Sequence, residues 1–241
     1  MKAPDADLLA WADRTYAEAR GQAMPPETLK KILDAYSRLA HQGNPEAMTA
    51  LGCIHYEGLH VPQDFGQARN CFEKAAGQGN ALATVYLGYC HYYGRDIPRD
   101  LERAHQLFTL AAGMGHHNGM YKLGDMHYNG HFVPRDFAQA FRWYQRAEEA
   151  CPPASPELPN IAYRLGHCHL EGDGTPRELL TALDCLHRAE SGCYRLMAQG
   201  DAYAGLTLVR VQEDLERARH ELDRTQHHRT ADLGHHNPLG A

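Results

Sequence analysis

The sequence predicts an all-α protein built as an array of stacked helix pairs, an α-solenoid. Three observations carry that reading. First, the stretch LGCIHYEG, Leu51 to Gly58, returns as LGYCHYYG at Leu87 to Gly94, as LGDMHYNG at Leu123 to Gly130 and, more loosely, as LGHCHLEG at Leu165 to Gly172. Second, each copy is followed by a Pro-containing connector and then by another apolar stripe at helical spacing. Third, the first three copies are 36 residues apart, and a fixed period of roughly 20–50 residues marks a repeat array.

Column matching fixes the unit. Leu51, Leu87 and Leu123 align, as do Gly52, Gly88 and Gly124, then Gly58, Gly94 and Gly130. Asp64, Asp100 and Asp136 follow, then Ala68, Ala104 and Ala140, then the aromatics Phe72, Phe108 and Tyr144. The fourth copy keeps Leu165, Gly166, Gly172, Ala182 and Ala189, but 42 residues after their partners. The six extra residues fall in CPPASPELP, Cys151 to Pro159, where four Pro forbid a continuing helix and predict a surface loop.

Each unit reads as two helices. In the first, Ala47, Leu51, Ile54 and His55 recur at the spacing of one helix face. Gly58 then supplies the left-handed residue that closes the last turn. The Pro of the connectors GLHVPQD, GRDIPRD, GHFVPRD and GDGTPRE bars continuation. Asp64, Asp100 and Asp136 are placed to cap the second helix, with Glu178 a weaker substitute. Ala68, Phe72, Ala75 and Ala76 form that helix's buried stripe, which ends at Gly77 or Gly79. One such pair cannot bury its apolar face alone, so neighbouring pairs must stack.

The combined pattern, A-x3-LG-x2-Y-x2-G, a V-P-x-D connector and A-x3-[FWY]-x2-AA-x2-G, resembles the Sel-1-like repeat of the tetratricopeptide-type helical repeats. Three copies, 45–80, 81–116 and 117–151, resemble it closely, and a fourth, 159–192, in part. The resemblance implies a right-handed superhelix of antiparallel helix pairs. It also implies an adaptor role, with a partner protein or peptide bound on the concave face.

Residues 1–44 read as a degenerate N-terminal capping repeat. Ile32, Tyr36, Leu39 and Ala40 stand 36 residues before Ala68, Phe72, Ala75 and Ala76, but the Leu-Gly signature is absent. Residues 193–224 read as a C-terminal capping helix, with Gly205 to Arg224 one long helix. Its narrow seam of Leu208, Val211, Leu215, Ala218 and Leu222 either covers the last repeat's edge or zips a homodimer. Residues 225–241, with two His-His pairs and little apolar content, read as a flexible tail.

Composition excludes several classes. The 241 residues carry a formal charge of -6 with both signs dispersed, so neither a nucleic-acid footprint nor a polybasic membrane patch is present. No apolar run approaches a membrane span. The opening MKAPDADLLAWADRTYAEAR lacks the apolar core of a signal peptide. Seven Cys at irregular spacing read as reduced thiols, and a cytoplasmic location is expected.

The most individual column is His55, His91, His127 and His169, where the repeat pattern carries Tyr. It is either a packing ring with a polar tip or a ligand- or metal-responsive ladder, which makes a sensor the alternative function. The roughly 8–10 Å between neighbouring helices disfavours a single metal site using all four, and a two-His site between adjacent units stays open. His167, Cys168 and His169 are too close in sequence to share one helix face. A cysteine-rich branch of the family staples each helix pair with a disulfide. Cys168 and Cys185 occupy columns that could face each other, but the third unit has Met126 and Trp143 there, so the device is not repeated. No nucleophile–base spacing, phosphate loop or dinucleotide fingerprint is present, and the expectation is a non-enzyme without cofactor or catalytic residues.

The resemblance directs attention to the first-helix positions around the packed column as the partner surface. These are Tyr56, Glu57, Tyr89, Tyr92, Tyr93, Tyr121, Tyr128, Asn129, Tyr163 and Glu171. Rigid amphipathic rings provide contact area at low entropic cost. The acidic residues among them lead to the expectation of a partner segment bearing Lys or Arg.

Overall fold

A computed structural model describes residues 3–19, 23–201 and 203–234, with side chains from residue 4 through residue 225 among these. Among these residues the secondary structure is entirely helical. A leading pair, α1 (Ala3–Glu18) and α2 (Pro26–His41), precedes three pairs of matching length. These are α3 (Pro45–Glu57) with α4 (Phe65–Ala76), α5 (Ala81–Tyr93) with α6 (Leu101–Gly113), and α7 (His117–Asn129) with α8 (Phe137–Ala150). A fourth pair, α9 (Leu158–Glu171) and α10 (Leu179–Ala198), follows the long loop, and α11 (Ala204–Gly234) ends the described chain. The pairs are antiparallel and stack as an α-solenoid.

Local sequence accounts for the helix ends. Asp64, Asp100 and Asp136 each accept a hydrogen bond at 2.8 Å from the backbone N–H three residues on. Glu178, one methylene longer, makes no such cap. Asn44 and Asn80 cap the first helices of their units in the same way, at 2.7 and 2.9 Å. The closing glycines Gly58, Gly94, Gly130 and Gly172 are all left-handed, with φ between 67° and 83°.

The Leu-Gly glycine has a packing reason. A Cβ added to Gly52, Gly88 or Gly124 would stand 2.4, 2.4 or 2.5 Å from the ring of Phe72, Phe108 or Tyr144. These rings are fully buried. Gly and aromatic columns are therefore one device: the missing Cβ lets the second helix lay a ring across the first. In the fourth unit Leu186 takes the ring's place, 2.8 Å from the same ideal position on Gly166.

Two helices run across the boundaries that the sequence pattern suggests at residues 192 and 224. α10 passes through Gly192, whose missing Cβ makes room for the Pro159 ring, 2.5 Å from the ideal position. Gly192 thus serves a close helix approach, and α10 ends instead before the left-handed Gly200. α11 continues past Thr225, where the tail is expected to begin, to Gly234; residues 235–241 lie outside the described residues.

The seam of α11 faces inward. Val211 and Leu215 pack with Ala162, Leu186 and Ala189, and Ala218 packs with Leu170 and Ala182. Leu208 is buried as well. These residues already cover the edge formed by α9 and α10, so a coiled-coil homodimer through them would require that contact to open.

Candidate functional site

The tyrosines of the first helices form a connected run across four units. Tyr56 on α3 meets Tyr86 on α5 with ring centroids 5.2 Å apart, and Tyr86 meets Tyr89 at 5.7 Å. Tyr89 contacts Tyr93, and Tyr93 contacts Tyr92 at 4.8 Å. On α7 the Lys122 ammonium lies 5.4 Å from the Tyr89 ring centre and 4.8 Å from that of Tyr121. On α9 the Arg164 guanidinium lies 5.6 Å from Tyr128 and 5.9 Å from Tyr163. Tyr93 is the open one, at 49% exposure, and the others are half-buried.

Their hydroxyls are anchored by residues from neighbouring units. Tyr89 donates to Asn118 Oδ1 at 2.7 Å, and Tyr128 donates to Asp173 Oδ2 at 2.6 Å. The Tyr92 hydroxyl stands 2.6 Å from His131 Nδ1. Burial raises the pKa of Tyr89, Tyr92, Tyr121, Tyr128 and Tyr163, and takes Tyr56 to about 12, so these phenols stay neutral near pH 7.

The remaining expected positions separate. Asn129 turns back on its own helix, donating to the Asp125 carbonyl at 2.7 Å. Glu171 is tied to Arg217 of α11. Tyr56 is wedged against Phe65 and Phe72 at 5.2 and 6.2 Å, so much of its ring belongs to the core. Glu57 is half-buried near Tyr86.

Sequence reasoning missed the charged centre of this face. Asp125, buried on α7, faces Lys122 Nζ at 3.4 Å and Arg164 Nε at 3.0 Å, and accepts the Tyr144 hydroxyl at 3.0 Å. Burial pulls both cations toward neutrality, and Asp125 together with the surrounding tyrosines more than offsets this, so both stay charged. A signal was present: Tyr86, Lys122 and Arg164 each immediately precede the Leu-Gly pair, one column carrying a ring and then two cations. Beside this centre, Asn118 donates to Glu157 at 3.3 Å, and Ser155 hydrogen-bonds both Glu157 and His117 Nε2. The long loop is thereby fastened to the tyrosine face.

The histidine column is not gathered into a site. In each unit the His carbonyl accepts the connector N–H at 2.9–3.0 Å, from Asp64, Asp100, Asp136 and Glu178. Nδ1 of His55, His91, His127 and His169 is buried without a hydrogen-bond partner. Burial lowers His91 and His127, against the opposing pull of Asp100 and Asp136. Each imidazole thus sits at the corner of its own unit. Among the described residues, His167, Glu171 and Asp214 are the set whose three ligand atoms converge, within 4.8 Å. Arg217 already pairs with both of those carboxylates, and His167 Nδ1 lies 2.6 Å from Asp214. The cysteines are free thiols, and burial raises Cys168 to about 12. No helix is long and apolar enough to cross a membrane among the described residues.

Known structures share this architecture. The chain is similar to c5321, a protective antigen of uropathogenic Escherichia coli with an SLR fold, at 24% identity and a TM-score of 0.61. That match covers 90% of this chain but only 46% of the antigen, so this chain spans about half its length. A Sel1 repeat protein from Oxalobacter formigenes matches at 23% identity over 78% of this chain and 82% of its own, with a TM-score of 0.55. Immunity protein Pa5087 from Pseudomonas aeruginosa matches at 15% identity over 90% and 83%, with a TM-score of 0.57. No curated protein matches. The Sel1 repeat signature matches residues 45–80, 81–116, 117–150 and 161–191, and on that repeated sequence the chain belongs to the Sel1 repeat family.

Proposed function

We propose that the protein is a non-enzymatic interaction scaffold that binds a partner protein or peptide on the concave face of the solenoid, through the tyrosine run. Sel1 repeat proteins generally act in protein–protein interaction. The observation that carries the finer reading is the fixed orientation of the run, with Tyr89, Tyr92 and Tyr128 each held by a hydrogen bond to a neighbouring unit. Rings fixed before binding lose little side-chain entropy on contact, and that preorganisation favours affinity. The free thiols fit a reducing cytoplasmic setting, which belongs to the same proposal.

The test is affinity capture with Tyr92→Ala/Tyr128→Ala beside the wild type, with far-UV circular dichroism on both. Loss of the captured partner at unchanged helicity is expected. Recovery of the same partner by both proteins would sink the assignment of this face.

A further inference from the structure

The charge on the tyrosine face is uneven at its centre. Lys122 and Arg164, on successive first helices, share one carboxylate, Asp125, whose two oxygens are engaged by these cations and by the Tyr144 hydroxyl. The other nearby acids are committed. Glu157 takes hydrogen bonds from Asn118 and Ser155 and pairs with His117 at 3.5 Å. Asp173 accepts the Tyr128 hydroxyl, and Glu171 pairs with Arg217.

Both cations are largely enclosed, at 13% and 19% side-chain exposure, between rings that offer faces but no formal charge. Two cations sharing one carboxylate leave one of them without an ion-pair partner of its own where water is partly excluded, and a charge so placed gains from a second carboxylate. Arg and Lys gathered at one carboxylate also provide a directional donor set for a second.

We propose that Lys122 and Arg164 form a carboxylate-binding subsite on the tyrosine face, and that the partner engages it with Asp or Glu side chains of an acidic segment. This rests on the interaction reading above and reverses the expectation of a Lys- or Arg-bearing partner, because the acids of this face are already satisfied within the chain.

The experiment is fluorescence anisotropy of the full chain with hexaglutamate and hexalysine, both labelled at the N-terminus with an uncharged BODIPY dye and amidated at the C-terminus so that side chains carry the only charges. Wild type is expected to bind hexaglutamate about ten-fold more tightly than hexalysine, and K122Q/R164Q to lose about ten-fold. Binding is expected to weaken as salt rises from about 0.05 to about 0.3 M. Glutamine can still hydrogen-bond Asp125, which protects the fold; should the double variant lose helicity, K122Q alone is measured, with about a five-fold loss expected. Hexalysine bound as tightly as hexaglutamate, no binding of hexaglutamate by wild type, or wild-type affinity in the variants would overturn the proposal. Partner capture that depends on Tyr92 and Tyr128 yet is unchanged by K122Q/R164Q would overturn the subsite while leaving the interaction face standing. Capture indifferent to all four residues would remove both.

Discussion

The Phe108 ring lies against the bare backbone of Gly88, and a Cβ built on that glycine would stand 2.4 Å from Phe108 Cε1. The ring is fully buried between helices, so it has no open side to move toward. Gly88→Ala is therefore expected to destabilise the protein by about 1–3 kcal/mol through overpacking, read as a lower urea midpoint. A wild-type midpoint would show that the pair can separate without strain.

The aspartate caps make a graded prediction. Asp100 accepts from the Arg103 N–H at 2.8 Å, and its replacement by Ala is expected to cost about 0.5–2 kcal/mol. Glu178 occupies the same column without capping, so Glu178→Asp is expected to stabilise by about 0.5 kcal/mol or more. Thermal unfolding of the two variants should move in opposite directions; shifts of one sign would refute the cap assignment.

Adjacent histidines give two pH windows. His116, half-buried and beside His117, has its pKa lowered to about 4, first by burial, and its Nδ1 accepts from the Asn118 N–H. Protons then bind the unfolded state preferentially below about 6.5, so this stability is present above that pH and is lost as pH falls toward 4. His117 is raised to about 9, first by its hydrogen bond with Cys151 and then by that with Glu157. Its contribution is complete below about 6.5 and is lost as pH rises through 9. His116→Asn should flatten the acid limb of a denaturation profile, and His117→Asn the alkaline limb. Each slope persisting in its own variant would count against the assignment.

Leu215 tests the role of the last helix. It is 1% exposed and packs with Ala162, Leu186 and Ala189. Leu215→Ala is expected to cost about 2–5 kcal/mol and to make α11 sensitive to protease while α3 to α8 stay protected. A variant as stable as wild type, with half its mass in light scattering, would instead return the seam to a dimer.

Much of the architecture could be read from the chain because its signals are local. Asp64 and Gly58 act on backbone groups within a few residues, so spacing alone placed the helix ends. The periodic pairing of Gly52, Gly88 and Gly124 with Phe72, Phe108 and Tyr144 joins two helices of one unit, and the 36-residue register carries it along the array. Glycine serves two ends in this chain: it closes helices, as at Gly58, and it admits a close neighbour, as Gly192 does for Pro159.

The candidate site was legible only in part. The sequence by itself determined the repeat, the helix ends and the recurrence of tyrosine on the first helices, since each follows from backbone geometry and a fixed period. Only the tertiary structure decided that the Tyr128 hydroxyl meets Asp173, 45 residues on, that Arg164 and Lys122 share Asp125, and that the histidine column stays dispersed. Those contacts join different units. Which side chains meet there depends on how one pair stacks on the next, and the six-residue insertion before α9 breaks the register from which that stacking could be counted.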